Sequence, residues 1–216
     1  MALEHIPLIA AALCALSYLW QTGQPQGPLR STVKTAAVAL LALAAGLAGA
    51  PLLLVLALAT CAVGDFCLSR DGERVFMAGV GAFALGQLGY IVLFLAHPDS
   101  APMRLLHMPH LILALALVGV GIVMSKVLAP RAGALKGPVL VYIPIILGMG
   151  LAALSLPGQG ALIWLMPAAL VFILSDLVLA AETFVLPPSH PARRYTPSVV
   201  WVTYWSAQLG FFTTFA

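Results

Sequence analysis

Residues 161–186 read ALIWLMPAALVFILSDLVLAAETFVL. A helix needs about 20 mostly apolar residues to cross the hydrocarbon core of a bilayer. This stretch is longer than that, and its only ionisable residues are Asp176 and Glu182. The rest of the chain has the same character. Of 216 residues, 62% are hydrophobic and 8% charged, and the mean hydropathy is +1.06. A soluble domain has roughly 45–50% apolar and 25% charged residues. Ten Lys/Arg and seven Asp/Glu are too few to solvate a globule of this size, so the chain belongs in lipid. The ten basic residues form no stripe, which excludes nucleic-acid binding. Three cysteines, all in apolar runs, exclude a disulfide framework.

Working outward, polar and Pro/Gly punctuation divides residues 1–216 into a single all-α membrane domain of eight transmembrane helices. They are expected near 6–20, 33–48, 51–69, 75–96, 107–128, 137–156, 161–186 and 198–215, with Gln21–Ser31 the first of the breaks. The first helix lacks the basic leading segment of a cleavable signal, having Glu4 and His5 there, and is expected to be a span. Nine of the ten basic residues, from Arg30 and Lys34 to Arg193 and Arg194, then fall in alternate connections, with Arg104 alone on the other side. This positive-inside bias predicts that both termini are non-cytoplasmic. An even number of helices requires the same.

Glu4, Asp71, Glu73 and Asp99 fall in loops or tails, and Glu182 falls near the interface, where a long side chain snorkels. Asp65 and Asp176 have no such explanation. They lie roughly 6 and 15 Å inside the cytoplasmic ends of the third and seventh helices at 1.5 Å per residue. A carboxylate at mid-helix costs ~2.5–3.5 kcal/mol on insertion scales, and such residues are by default functional. The alternative is that each Asp caps, hydrogen-bonds or pairs with a basic residue such as Lys34 and only holds the bundle together. Gln87, Gln208, Tyr142 and Tyr204 fall at related depths. Each also has a plain reading, the glutamines as interhelical glue and the tyrosines as aromatic-belt residues.

Matching motifs suggest a 4+4 parallel internal repeat about an axis along the membrane normal. The third and seventh helices share small-Asp-x-x-Leu at Asp65 and Asp176. The fourth and eighth share small-Gln-Leu-Gly-aromatic at Gln87 and Gln208. Lys34 and Lys136 precede the second and sixth, each with a glycine twelve residues on, Gly46 and Gly148. Such a repeat would set Asp65 and Asp176 facing each other.

Gly64-Asp65-x-x-Leu68, Phe83-Ala84-Leu85-Gly86-Gln87-x-x-Tyr90, Val141-Tyr142-Ile143, Ser175-Asp176-x-x-Leu179-Ala180 and Tyr204-x-x-Ala207-Gln208 together resemble the YhhN-like family of integral membrane proteins. Its characterised members are lysoplasmalogenases. The resemblance runs from about Lys34 to the C-terminus. It departs from the family at Gln87, where His is usual, at Glu182-Thr183 in place of Asn and a basic residue, and in lacking Pro after Lys34.

The resemblance implies hydrolysis of the vinyl ether of a lysoplasmalogen to a fatty aldehyde and a glycerophospho-alcohol. Asp65 and Asp176 would be the catalytic residues, needing no cofactor. An enol ether is cleaved by protonation at its β-carbon, addition of water to the resulting oxocarbenium ion and collapse of the hemiacetal. That sequence needs one protonated acid and one carboxylate. Neighbouring carboxyls that share a proton titrate as a unit, and glycoside hydrolysis uses a similar pair. Lys34, Gln87, Tyr90, Tyr142, Tyr204 and Gln208 form the expected substrate-binding set, with Lys34 near the lipid phosphate and lateral entry from the cytoplasmic leaflet. A catalytic metal is disfavoured: His107 and His110 flank Pro109 on the opposite side, and Cys61 and Cys67 have no third ligand nearby, whereas open zinc sites take three protein ligands. The expected partners are a lysophospholipid and the bilayer. Two other readings are a proton-coupled transporter or flippase and a non-catalytic lipid-binding protein. High Ala, Leu and Gly content with short loops suggests a bacterial cytoplasmic membrane.

Overall fold

A computed structural model describes residues 3–216 as eight α-helices: α1 (His5–Gln21), α2 (Pro28–Leu47), α3 (Leu52–Leu68), α4 (Glu73–Leu95), α5 (His110–Leu128), α6 (Lys136–Leu154), α7 (Leu165–Phe184) and α8 (Thr196–Phe215). Helix makes up 80% of the structure, and the described residues include no strand. Five stretches are long and apolar enough to cross a membrane: Pro28–Leu47, Glu73–Leu95, His110–Leu128, Gly133–Leu154 and Gly160–Phe184. Helices α1 and α3 are also apolar but have 17 residues each, about 26 Å at 1.5 Å per residue.

The helix ends follow local chemistry. Gly49, at φ +75°, ends α2 in a Schellman turn: the Ala50 N–H reaches the Ala45 carbonyl at 3.0 Å and the Gly49 N–H that of Gly46 at 3.2 Å. Pro51 then prevents further helix, so α3 folds straight back on α2. At the far end of α7 the Arg193 guanidinium donates to the carbonyls of Glu182 and Leu186. This satisfies orphan acceptors of the last turn and fixes the helix that carries Asp176.

One boundary differs from expectation in a way that matters for the site. Helix α2 begins at Pro28, not near residue 33, because proline is pre-organised for the first helical position and its missing N–H costs nothing there. Arg30 and Lys34, expected in a loop, are therefore in the first two turns of α2. Helix α7, by contrast, starts later than expected, at Leu165, after a 3-10 turn over Gly160–Trp164.

Helices adjacent in the chain pack on one another except α4 and α5, and α2 also meets α8 while α4 meets α6. Small residues bring α3 and α4 close, as apolar membrane helices require. A Cβ at Gly86 would stand 2.6 Å from Cys61 Sγ, one at Gly64 2.7 Å from the Phe83 ring, and one at Gly89 3.2 Å from Ala57 Cβ. Between α7 and α8, a Cβ at Gly210 would stand 2.7 Å from Ala168 Cβ. The half of the bundle far from the basic connections is filled by rings. Tyr90 packs on Phe211 at 4.5 Å between centroids, and Phe94 stacks on Phe215 at 5.7 Å.

Candidate functional site

All eight helices contribute to one cavity of about 300 Å³, each through the end nearer the basic connections. Most of its wall is aliphatic, including Val120, Met124, Val139, Ile143 and Leu177. Its polar side chains are Tyr18, Arg30 and Lys34 from α1 and α2, Asp65 from α3, Tyr142 from α6, Ser175, Asp176, Glu182 and Thr183 from α7, and Tyr204 from α8. Asp65 and Asp176 thus line one space, as do Lys34, Tyr142 and Tyr204 of the expected set. Glu182, expected to snorkel at the interface, is also on the lining.

The two carboxyls are held differently. Asp65 is 1% exposed, with both oxygens engaged. Oδ1 is 3.1 Å from the Lys34 ammonium, and Oδ2 accepts the Tyr204 hydroxyl at 2.7 Å. Tyr204 is locked in turn by edge-on packing against Phe83 and Phe172, at 5.6 and 5.4 Å between centroids. Asp176 is only partly buried. Its Oδ2 accepts the Tyr142 hydroxyl at 2.6 Å. Its Oδ1 has only a long 3.4 Å contact with Ser175 Oγ, whose proton goes to the Phe172 carbonyl at 2.7 Å. No basic side chain among the described residues pairs with Asp176. Its Oδ1 is the less committed of the carboxyl oxygens in the cavity.

Lys34 is the ion-pair partner of Asp65, the alternative given above for that carboxylate, and Tyr142 and Tyr204 each donate to a cavity carboxyl. Gln87, Tyr90 and Gln208 are fully buried and lie outside the lining, one layer further from the basic connections. The Tyr90 hydroxyl donates to Gln208 Oε1. Both amide atoms of Gln87 and the Nε2 of Gln208 have no hydrogen-bond partner.

Arg30 was missed as a site residue because Pro28 was read as part of a break. Its four-residue spacing from Lys34 on a helix was the available signal, since such positions share a face. Its Nη2 donates to the Thr22 carbonyl at 3.2 Å and the Tyr18 hydroxyl at 3.4 Å, and its guanidinium lies 5.7 Å from the centre of the Tyr18 ring. No group of three or more His, Cys, Asp or Glu side chains suited to a metal ion occurs among the described residues. The lining sets three carboxyls (Asp65, Asp176 and Glu182), three phenols (Tyr18, Tyr142 and Tyr204) and two cations (Arg30 and Lys34) beside an apolar space.

Residues 29–215 match the family model described as YhhN family. No curated protein and no solved structure matches the chain.

Proposed function

The chain belongs to the YhhN family, and from that membership and the paired cavity carboxyls we propose that it hydrolyses the vinyl ether of lysoplasmalogens. The products are a fatty aldehyde and a glycerophospho-alcohol. The observation that carries this reading is the unequal environment of Asp65 and Asp176 in one apolar cavity. Vinyl ether hydrolysis asks for one proton donor and one fixed negative charge, and an ion-paired Asp65 beside a cation-free Asp176 supports that division.

Asp176 is the acid. Without a cation beside it, it can hold a proton, and Oδ1 is free to deliver it to the β-carbon of the alkene. The π electrons form the new C–H bond, leaving an oxocarbenium ion at the carbon bearing oxygen. Asp65, paired with the Lys34 ammonium and oriented by Tyr204, faces that cation as the preorganised stabilising group. Water adds to the cationic carbon, and the Asp176 carboxylate takes up the proton released. The hemiacetal then collapses, breaking the C–O bond to glycerol and moving one proton from its hydroxyl to the departing alkoxide. Tyr142 holds the Asp176 carboxyl in position throughout. Gln87, Tyr90 and Gln208 support this layer from beneath and do not touch the substrate.

The eight helices are read as eight spans, with the cavity opening toward the cytoplasm and both termini on the other side. The positive-inside bias supports this orientation. A 4+4 parallel repeat is supported by contacts that recur at matched positions. Gly89 and Gly210, each two residues after its Gln, back onto Ala57 and Ala168, each eight residues before its Asp. Phe83 with Tyr204, Tyr90 with Phe211 and Phe94 with Phe215 are ring pairs whose members stand at equal offsets from Gln87 and Gln208. The ring-filled distal half favours an enzyme entered from one leaflet over a transporter.

Purified protein in detergent, given a lysoplasmalogen, should release aldehyde. Asp176→Asn should reduce the rate by about 10²–10⁴-fold, the range for losing a general acid. No aldehyde from the wild-type protein, or full activity in Asp176→Asn, would overturn the proposal.

A further inference from the structure

We propose that Arg30, at the cytoplasmic mouth of the cavity, recognises the phosphodiester of a single-chain ether lipid and so separates phospholipid from neutral glycerol-ether ligands. The inference rests on the reading of the cavity as a lysolipid site, and it gives the phosphate a different receptor from Lys34.

Lys34 is already neutralised by Asp65 at 3.1 Å. Arg30 lines the same cavity, and among the described residues no carboxylate stands within ion-pair distance of it. Its Nη2 is held by neutral acceptors, the Thr22 carbonyl and the Tyr18 hydroxyl, while its Nε is buried with no hydrogen-bond partner. A buried guanidinium N–H without an acceptor is costly, and an oxyanion is the ligand that best matches its fork. The start of α2 adds to the attraction. Gly27 gives it no side-chain cap, so first-turn N–H groups remain available beside Arg30. Glu182, the acidic side chain nearer the cytoplasmic end of the lining, comes from α7, not from the α1–α2 side where Arg30 stands.

Spacing agrees with the chemistry. Arg30 precedes Lys34 by four residues, about 6 Å closer to the membrane surface along α2 than the Lys34–Asp65 pair at 1.5 Å per residue. The three-carbon glycerol unit between an ether oxygen and its phosphate spans a distance on the order of 5 Å, as a few backbone-like single bonds would. A lysolipid with its ether between the two carboxyls therefore carries its phosphate to the level of Arg30, with its chain along the aliphatic wall.

The test is a binding experiment that needs no turnover. Trp201 lies on the cavity lining and reports occupancy by fluorescence. The ligands are a saturated 1-O-alkyl lysophosphoethanolamine, the matching 1-O-alkylglycerol and inorganic phosphate. Wild-type protein should bind the lysolipid about tenfold or more tightly than the alkylglycerol, as one charge-assisted guanidinium contact allows. Arg30→Gln should bring that ratio close to one, and Arg30→Lys, which keeps the charge but not the fork, should fall between. Arg131→Gln, an exposed residue bonded to the Val127 carbonyl and outside the lining, should keep the wild-type ratio.

A wild-type ratio near one, or the full ratio retained in Arg30→Gln, would overturn the proposal. So would an equal loss for both lipids in Arg30→Gln, the result of a role confined to tying α1 to α2. Inorganic phosphate displacing the lysolipid at comparable concentration would also overturn it, by making the site one for the free ion. An Arg30-dependent ratio in a protein that releases no aldehyde would leave the anion site standing and remove the reaction. Aldehyde release with no Arg30-dependent ratio would do the reverse.

Discussion

Asp65 and Lys34 form a pair whose members are stable only together. Asp65 is almost wholly enclosed, and Lys34 is 16% exposed. Removing one partner of a buried pair leaves an uncompensated charge and costs about 3–5 kcal/mol, whereas replacing both by apolar groups is often close to neutral. Lys34→Met should therefore lower the melting temperature in detergent strongly, and Lys34→Met with Asp65→Leu should recover most of the loss. The recovered double variant should still release no aldehyde, which separates the electrostatic role of Asp65 from its part in folding. A double variant as unstable as Lys34→Met would show that the two side chains are not coupled, and one with normal turnover would remove Asp65 from the mechanism. Asp176 carries no such structural debt, because its only short side-chain bond is the one from Tyr142. Its substitution should be read mainly in rate.

At the scale of the elements, helix α4 presents two glycines that should respond in opposite directions. A Cβ at Gly86 would meet Cys61 Sγ at 2.6 Å and the Ala57 carbonyl oxygen at 3.1 Å, the second a backbone atom that cannot move aside. A Cβ at Gly81 would meet nothing within 4 Å. Gly86→Ala should lower stability by about 1–3 kcal/mol, as overpacking does, while Gly81→Ala should be neutral or raise it by up to about 1 kcal/mol through helix propensity. Thermal unfolding of the two variants checks the signs, and a stabilised Gly86→Ala would mean that α3 and α4 do not approach as closely as described.

The helices themselves were legible in the sequence, because long apolar runs and Pro/Gly breaks record the bilayer directly. What misled was Pro28, since proline marks both a break and a first helical turn and only the fold decides between them. Asp65 and Asp176 stood out by depth alone. Which tyrosine serves which carboxyl did not, because Tyr204 with Asp65 and Tyr142 with Asp176 are separated by 139 and 34 residues, and no local pattern encodes such pairs. Gln87, Tyr90 and Gln208 were expected in the substrate-binding set, and periodicity could not say that they stop one layer short of the cavity lining.

For the whole molecule, the matched contacts and the unmatched chemistry belong together. Under the proposed repeat the halves match where helices pack, at Gly89 on Ala57 and Gly210 on Ala168, and diverge where the carboxyls sit. Lys34 reaches Asp65, whereas its counterpart Lys136 is exposed and outside the cavity lining, leaving Asp176 to Tyr142. A parallel repeat also makes a topological demand. Corresponding connections must lie on the same side of the membrane, and the cavity mouth must be on the side that holds the basic residues. Single cysteines at Asp71, after α3, and His190, after α7, should be hidden from a membrane-impermeant thiol reagent added outside intact cells. Cysteines at Asp99, after α4, and Gln159, after α6, should be labelled; all four positions are exposed. Cys14, Cys61 and Cys67 would be replaced by Ala beforehand. Labelling of Asp71→Cys and protection of His190→Cys would mean that α3 and α7 run in opposite directions, and the parallel repeat would fall. Labelling of both, with Asp99→Cys and Gln159→Cys protected, would keep the repeat but turn the cavity outward, so that lysolipid enters from the outer leaflet.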